Sequence, residues 1–208
     1  ARTRGDSHKL IEEMMLLANT CAAEFSLKHE LPVLYRNHDT PEAEKAARVS
    51  DFVKHFGLSF PEENPTQADY QRIIEATRER PDAISIHSVL LRSMQQANYA
   101  PTNIGHFGLA YEEYSHFTSP IRRYPDLMLH RAIKAKVTGK KAPLPDWSLE
   151  DAGEQTSMTE RRADEASRFV EQWLKAHYMK DHIGEAFDAV VTTAVSYTHL
   201  TLPTKRIV

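Results

Sequence analysis

The sequence predicts an α+β fold, predominantly helical with short strands. Three observations predict it. Apolar residues recur at helical spacing through most of the 208 residues, caps and stops punctuate these runs, and the extended stretches between them are short. In the first helix, residues 8–29, Leu10, Met14, Leu17, Ala18, Cys21 and Phe25 share a stripe that is expected to be buried, with Met15 and Leu16 widening it. LPVLYRNH then reads as extended. Thr40 with Pro41 opens a second helix through Val49, Phe52, Val53 and Phe56, which stops at Gly57. Thr66 caps a third helix through Tyr70 and Ile73, closed by Pro81. Asp82 starts a fourth, carrying Ile84, Leu91 and Met94 as far as Pro101.

Residues 103–118, NIGHFGLAYEEYSHFT, lack a helical period and read as short strands or a structured loop. Ser119 and Pro120 are expected to begin a helix that is bent at Pro125 and runs to Gly139. After the connector KKAPLPDW, Ser148 with Asp151 forms a capping-box pattern ahead of a long charged helix towards Gly184. Its expected buried side is Met158, Ala166, Phe169, Val170, Trp173, Leu174 and Tyr178.

Composition narrows the class. A 41% hydrophobic share with 8 Tyr, 8 Phe and 2 Trp excludes a disordered chain, and 7 Gly excludes a fibrous one. No apolar run reaches membrane-spanning length. The single cysteine, Cys21, excludes a disulfide framework and fits a reducing compartment, so a cytoplasmic protein without membrane contact is expected. The chain opens on Ala1 and reads as a piece of a longer one.

The net charge of −3 is unevenly spread: residues 122–141 hold seven Lys/Arg against one acid, Asp126, a local balance of +6. Such a patch suits a phosphate backbone. With Arg122 and Arg123 in the first turn of a helix, free backbone N–H groups, the Ser119 hydroxyl and two guanidiniums would converge on one phosphate. Alternatively, the arginines pair with carboxylates such as Asp126. Phe107, Tyr111, Tyr114 and Phe117, beside His106 and His116, are either a stacking platform for single strands or core. Glu12, between apolar neighbours on the first helix, sits either at an edge or in a polar site. Glu12, Glu112, Glu113 and Asp126 could complete a metal site only by an unforeseen convergence, and no ligand spacing accompanies the histidines.

Four segments carry a resemblance. HKLIEEMMLLAN (8–19), PVLYRNHDTPEAEK (32–45), NIGHFGLAYEEYSHFTSPIRRYPDLMLHR (103–131) and TERRADEASRFVEQWLK (159–175) closely resemble, in order, the C-terminal half of the RNB catalytic domain of the ribonuclease II family, in its ribonuclease R branch. The resemblance spans about residues 1–190, and HFTSPIRRYPDL is its most specific block. It implies a processive 3′-to-5′ exoribonuclease acting on single-stranded RNA, most simply as a monomer. The products would be nucleoside 5′-monophosphates. It also implies Mg²⁺ held by aspartates upstream of the matched region, so that no metal ligand lies in this chain and the piece alone is inactive.

By motif match Arg122 is the catalytic arginine at the scissile phosphate. Ser119, Arg123 and Tyr124 share its block as RNA-binding residues, and Glu12 corresponds to the carboxylate that holds the 3′-terminal nucleotide, with Glu13 as the alternative in a register shifted by one. Phe169 departs from the family's usual acidic residue. The implied organisation is RNB catalytic domain over 1–184 and the start of an S1 RNA-binding (OB-fold) domain over 185–195. Residues 196–208 match neither and read as a frameshifted or vector-derived end. The competing expectation is a non-catalytic RNA-binding module using the basic 122–141 helix.

Overall fold

The computed structural model describes residues 4–141 and 146–187. The chain divides into two units, Ala1–Met158 and Thr159–Val208. In the first, α1 (Asp6–Lys28), α2 (Ala43–Lys54), α3 (Gln67–Thr77), α4 (Ala83–Ser93), α5 (Tyr124–Thr138) and the start of α6 (Leu149–Met179) surround a two-stranded antiparallel ribbon. Strand β1 (Tyr35–Asn37) pairs with β2 (Asn98–Ala100), with Arg36 opposite Tyr99. The fold is thus mostly helical with short strands, as the sequence predicts.

Ribbon alternation distributes the core. Val33 and Tyr35 pack with Ala22 and Ala23 of α1 and with Leu129 and Ala132 of α5. Leu34 faces the other way, onto Tyr99, Met128 and Ala152. A further cluster joins α2, α3 and α4 through Val49, Val53, Ile73, Ile86 and Leu90, with Phe107 inserted from the following loop. The start of α6 lies hard against β2: a Cβ at Gly153 would stand 2.6 Å from the Tyr99 carbonyl oxygen. One turn on, the Ser157 hydroxyl accepts the Tyr99 N–H at 2.9 Å.

Several local signals act as expected. The Thr66 hydroxyl accepts the Asp69 N–H while the Asp69 carboxylate accepts the Thr66 N–H, closing a capping box. Ser148 caps α6 by accepting the Asp151 N–H at 3.0 Å. Gly139, at φ 65°, ends α5 in the left-handed conformation.

Five expectations are corrected. The buried face of α1 is Asn19, Ala22, Ala23 and Ser26, whereas Leu10, Met14 and Leu17 are about 60% exposed. Small side chains let α1 approach the ribbon and α5 closely, which the long ones would prevent. Helix α2 starts at Ala43 with Glu42 as N-cap, not at Pro41. Helix α4 ends at Ser93, burying Ile86 and Leu90 rather than Ile84 and Leu91, because residues 98–100 are drawn into the ribbon. Helix α5 starts at Tyr124, so Pro125 opens a helix instead of bending one; within a longer helix its ring would clash with the carbonyl four residues back.

In the second unit, the remainder of α6 exposes Phe169, Val170, Trp173, Leu174 and Tyr178. Met158 and Ala166 are exposed too, and the buried residues of α6 are Ala152, Gly153 and Ser157. Among the described residues of this unit, no second layer covers that apolar stripe. Of the expected S1-like segment, residues 188–195 lie outside the described residues, as does the 196–208 tail.

Candidate functional site

The site is built where the chain runs from residue 114 into α5. Asn19, buried on α1, donates from Nδ2 to the Tyr114 hydroxyl at 2.9 Å and accepts the Phe117 N–H at 2.9 Å. The Ser115 hydroxyl donates to the Leu34 carbonyl, and Arg36 N–H to the Tyr114 carbonyl. His130 of α5 bonds the Phe117 carbonyl and stacks on that ring, centroids 4.0 Å apart. These contacts fix the segment against α1, β1 and α5.

The turn that follows is organised by one carboxylate. Asp126 is fully buried and accepts three hydrogen bonds: Ser119 N–H at 2.7 Å, Arg123 Nε at 2.9 Å and Arg123 Nη2 at 2.9 Å. The N–H groups of Arg122 and Arg123 close onto the Ser119 carbonyl. The expected convergence of free backbone N–H groups on an anion is therefore corrected: Asp126 and the Ser119 carbonyl take them. Arg123 becomes a fixed, bidentate-paired charge with its side chain 17% exposed. Arg122 is exposed, and its side chain has no ion pair or hydrogen bond among the described residues.

A cavity of about 320 Å³ opens between this turn and α1. Glu12, Met15, Leu16 and Asn19 line one wall; Tyr114, His116, Thr118, Ser119, Arg122 and Arg123 line the other. Glu12, Ser119, Arg122 and Arg123, four of the five residues singled out by motif, thus meet in one pocket. Tyr124 does not line it; its ring packs beside the cluster of Leu34, Tyr99 and Met128, 6.4 Å from Trp147.

Charge in the pocket is well defined. The Arg4 guanidinium, hydrogen-bonded to the Glu12 carboxylate, holds it below the ordinary carboxylate range. Burial, with Arg123 and Arg36 nearby, pushes His116 down to about 3. Burial and the adjacent His38 push His106 down to about 4. Burial raises the Tyr114 hydroxyl. At neutral pH the lining is two guanidiniums, one carboxylate and neutral rings, suited to a phosphodiester with donors at its oxygens.

The aromatic residues are packing groups. Phe107 and Tyr114 are buried, Tyr111 stacks on Tyr114 at 5.7 Å, and Phe117 is taken by His130. Among the described residues no three His, Cys, Asp or Glu side chains come together to hold a metal ion, so the described residues do not by themselves make a donor set for Mg²⁺. Sequence reasoning did not find Asn19, His116 or Thr118 as pocket residues. Their signal is tertiary, since α1 meets residues 114–119 from almost a hundred positions away.

The fold matches that of solved RNase R structures. It superposes on Mycoplasma genitalium RNase R, solved in complex with ribose-methylated single-stranded RNA, with a TM-score of 0.84 at 22% identity, covering 94% of this chain and 32% of that one. The RNB domain family matches residues 1–139, and the chain belongs to that family. Ribonuclease R of Escherichia coli is 46% identical over 206 residues, 93% of this chain and 25% of that protein. The chain thus spans about a quarter of the length of the curated relatives it matches. Yeast Ssd1, a pseudonuclease, shares the fold at a TM-score of 0.62 and 26% identity, over 76% of this chain and 20% of that one.

Proposed function

We propose that the chain supplies the phosphate-gripping part of a processive 3′-to-5′ exoribonuclease that hydrolyses single-stranded RNA to nucleoside 5′-monophosphates. The observation that carries this reading is the pocket itself, which gathers Arg122, Arg123, Ser119 and Glu12 from segments about a hundred residues apart. Arg122, solvent-facing and uncommitted, is placed to follow charge as it develops on the phosphate. Asp126 holds Arg123 as a rigid wall charge. The Glu12 carboxylate accepts hydrogen bonds from hydroxyls of the terminal nucleotide. Mg²⁺ belongs to this reading as a cofactor whose aspartate ligands lie outside the segment, and the piece alone is inactive. A monomeric, cytoplasmic enzyme fits it. Among the described residues no helix is long and apolar enough to cross a membrane.

A second reading, an RNA-binding module without catalysis, is favoured by the exposed Arg131, Lys134 and Lys136 of α5, with Lys140 just beyond it, and by the pseudonuclease that shares the fold. One experiment separates the two: 5′-labelled single-stranded RNA with Mg²⁺, given either this chain or Escherichia coli ribonuclease R carrying residues 4–187 in place of its matching segment. The expected result is no shortening by the chain alone and stepwise shortening from the 3′ end by the graft. A folded graft that binds RNA and leaves it intact would favour the second reading.

A further inference from the structure

We infer that His116 is a further phosphate-binding residue, presenting its Nε2–H into the pocket as a neutral donor to a phosphate oxygen. The inference rests on the RNA reading of the pocket and adds a residue to it. Three observations carry it. The ring lines the cavity together with Thr118, Ser119, Arg122 and Arg123. Its other nitrogen, Nδ1, lies 2.8 Å from the Tyr99 hydroxyl. Finally, every buried side-chain nitrogen and oxygen among the described residues has a partner, whereas no protein group among them bonds Nε2. Nε2 is therefore not sealed within protein, and it belongs to a ring that lines the cavity.

The tautomer follows from the chemistry of the pair. A phenol is the better proton donor and a pyridine-type imidazole nitrogen the better acceptor, so Tyr99 donates to Nδ1 and the ring proton resides on Nε2. Tyr99 is itself placed by the hydrogen bond from its N–H to Ser157 and by the Arg36 guanidinium 4.6 Å from its ring centroid. The Tyr114 ring meets His116 edge-on at 5.7 Å and limits its rotation.

The groups facing His116 are Arg123, Arg36 and Arg122, with neutral His106, Tyr99 and Tyr114; Glu12 is on the far wall of the cavity. Burial, helped by this positive field, keeps the imidazole uncharged while the field attracts an anion, so the ring contributes direction and the guanidiniums contribute charge. A phosphate bound among them would offset the field and raise the imidazole's affinity for a second proton.

The test uses the 208-residue chain, a fluorescent oligouridylate and inorganic phosphate. His116→Phe keeps the ring and removes the donor, while His116→Gln restores an amide N–H at the Nε2 position. The expected result is oligouridylate affinity about ten-fold lower for His116→Phe, the scale of one hydrogen bond to a charged acceptor, and near the parent for His116→Gln. Equal affinity for His116→Phe and the parent would overturn the role of His116 alone. No binding by the parent chain would overturn the RNA reading and this inference with it. Imidazole nitrogen NMR on the unaltered chain decides the matter even if the variants fail to fold. The proton is expected on Nε2, with that signal displaced by phosphate and the ring titrating at higher pH; a proton on Nδ1, or no response to phosphate, would contradict the proposal.

Discussion

Asp126→Ala is expected to lower the stability of the fold by about 3–5 kcal/mol, the scale of breaking a buried ion pair. The carboxylate is fully buried and is the acceptor for both Arg123 nitrogens and the Ser119 N–H. Without it a guanidinium and a backbone donor are left in a desolvated place, and the charge stands against His116. Against a total of about 5–15 kcal/mol for a typical domain, that is a large share. Urea unfolding followed by far-UV circular dichroism measures it. The double variant Asp126→Ala with Arg123→Met should recover much of the loss, because removing both charges leaves none unpaired. A loss under about 1 kcal/mol, the size of an ordinary surface change, would mean that Asp126 does not organise the turn.

Arg122→Ala is expected to do the reverse, leaving stability nearly untouched while disabling chemistry. Its side chain is exposed and has no ion pair or hydrogen bond among the described residues, so unfolding should shift by no more than about 0.5 kcal/mol. In the ribonuclease R graft, kcat should fall about 10²–10³-fold, the cost of removing one preorganised contact to developing charge. KM should change little, because an exposed guanidinium binds the ground-state phosphodiester weakly and the transition state more strongly. A variant with raised KM and normal kcat would reassign Arg122 to binding alone.

These variants differ because the Arg122–Arg123 pair splits, and that split shows how far the sequence carries. The Ser-Pro-Ile-Arg-Arg-Tyr-Pro-Asp order marked the site, and Asp126 was visible as a carboxylate partner for an arginine. Which arginine it would take depended on where α5 begins, and Pro125 moved that start to Tyr124. Caps read by local chemistry, such as Thr66 and the pair Ser148 with Asp151, came out as predicted because cap and partner lie within one turn.

The face of α1 did not. Periodicity finds apolar residues, but contact with β1 and α5 selected small ones, and it buried Asn19, a polar residue satisfied by Tyr114 and Phe117. The strand at 98–100 was likewise hidden, since only pairing with residues 35–37 makes it a strand. The pocket combines both kinds of information. Its arginines and Glu12 were legible in motifs, whereas their meeting in one pocket, and Asn19 beside Glu12 on the opposite wall, emerged only when the chain folded.

The central claim is that the cavity between α1 and residues 114–123 takes an RNA phosphate. Titrating the isotope-labelled chain with oligouridylate and mapping amide and side-chain NMR shifts tests it most directly. The largest changes are expected at Glu12, Asn19, His116, Thr118, Ser119 and Arg122. Changes confined to the exposed Lys134 and Lys136 of α5 and Lys140 just beyond it, with the pocket silent, would contradict it.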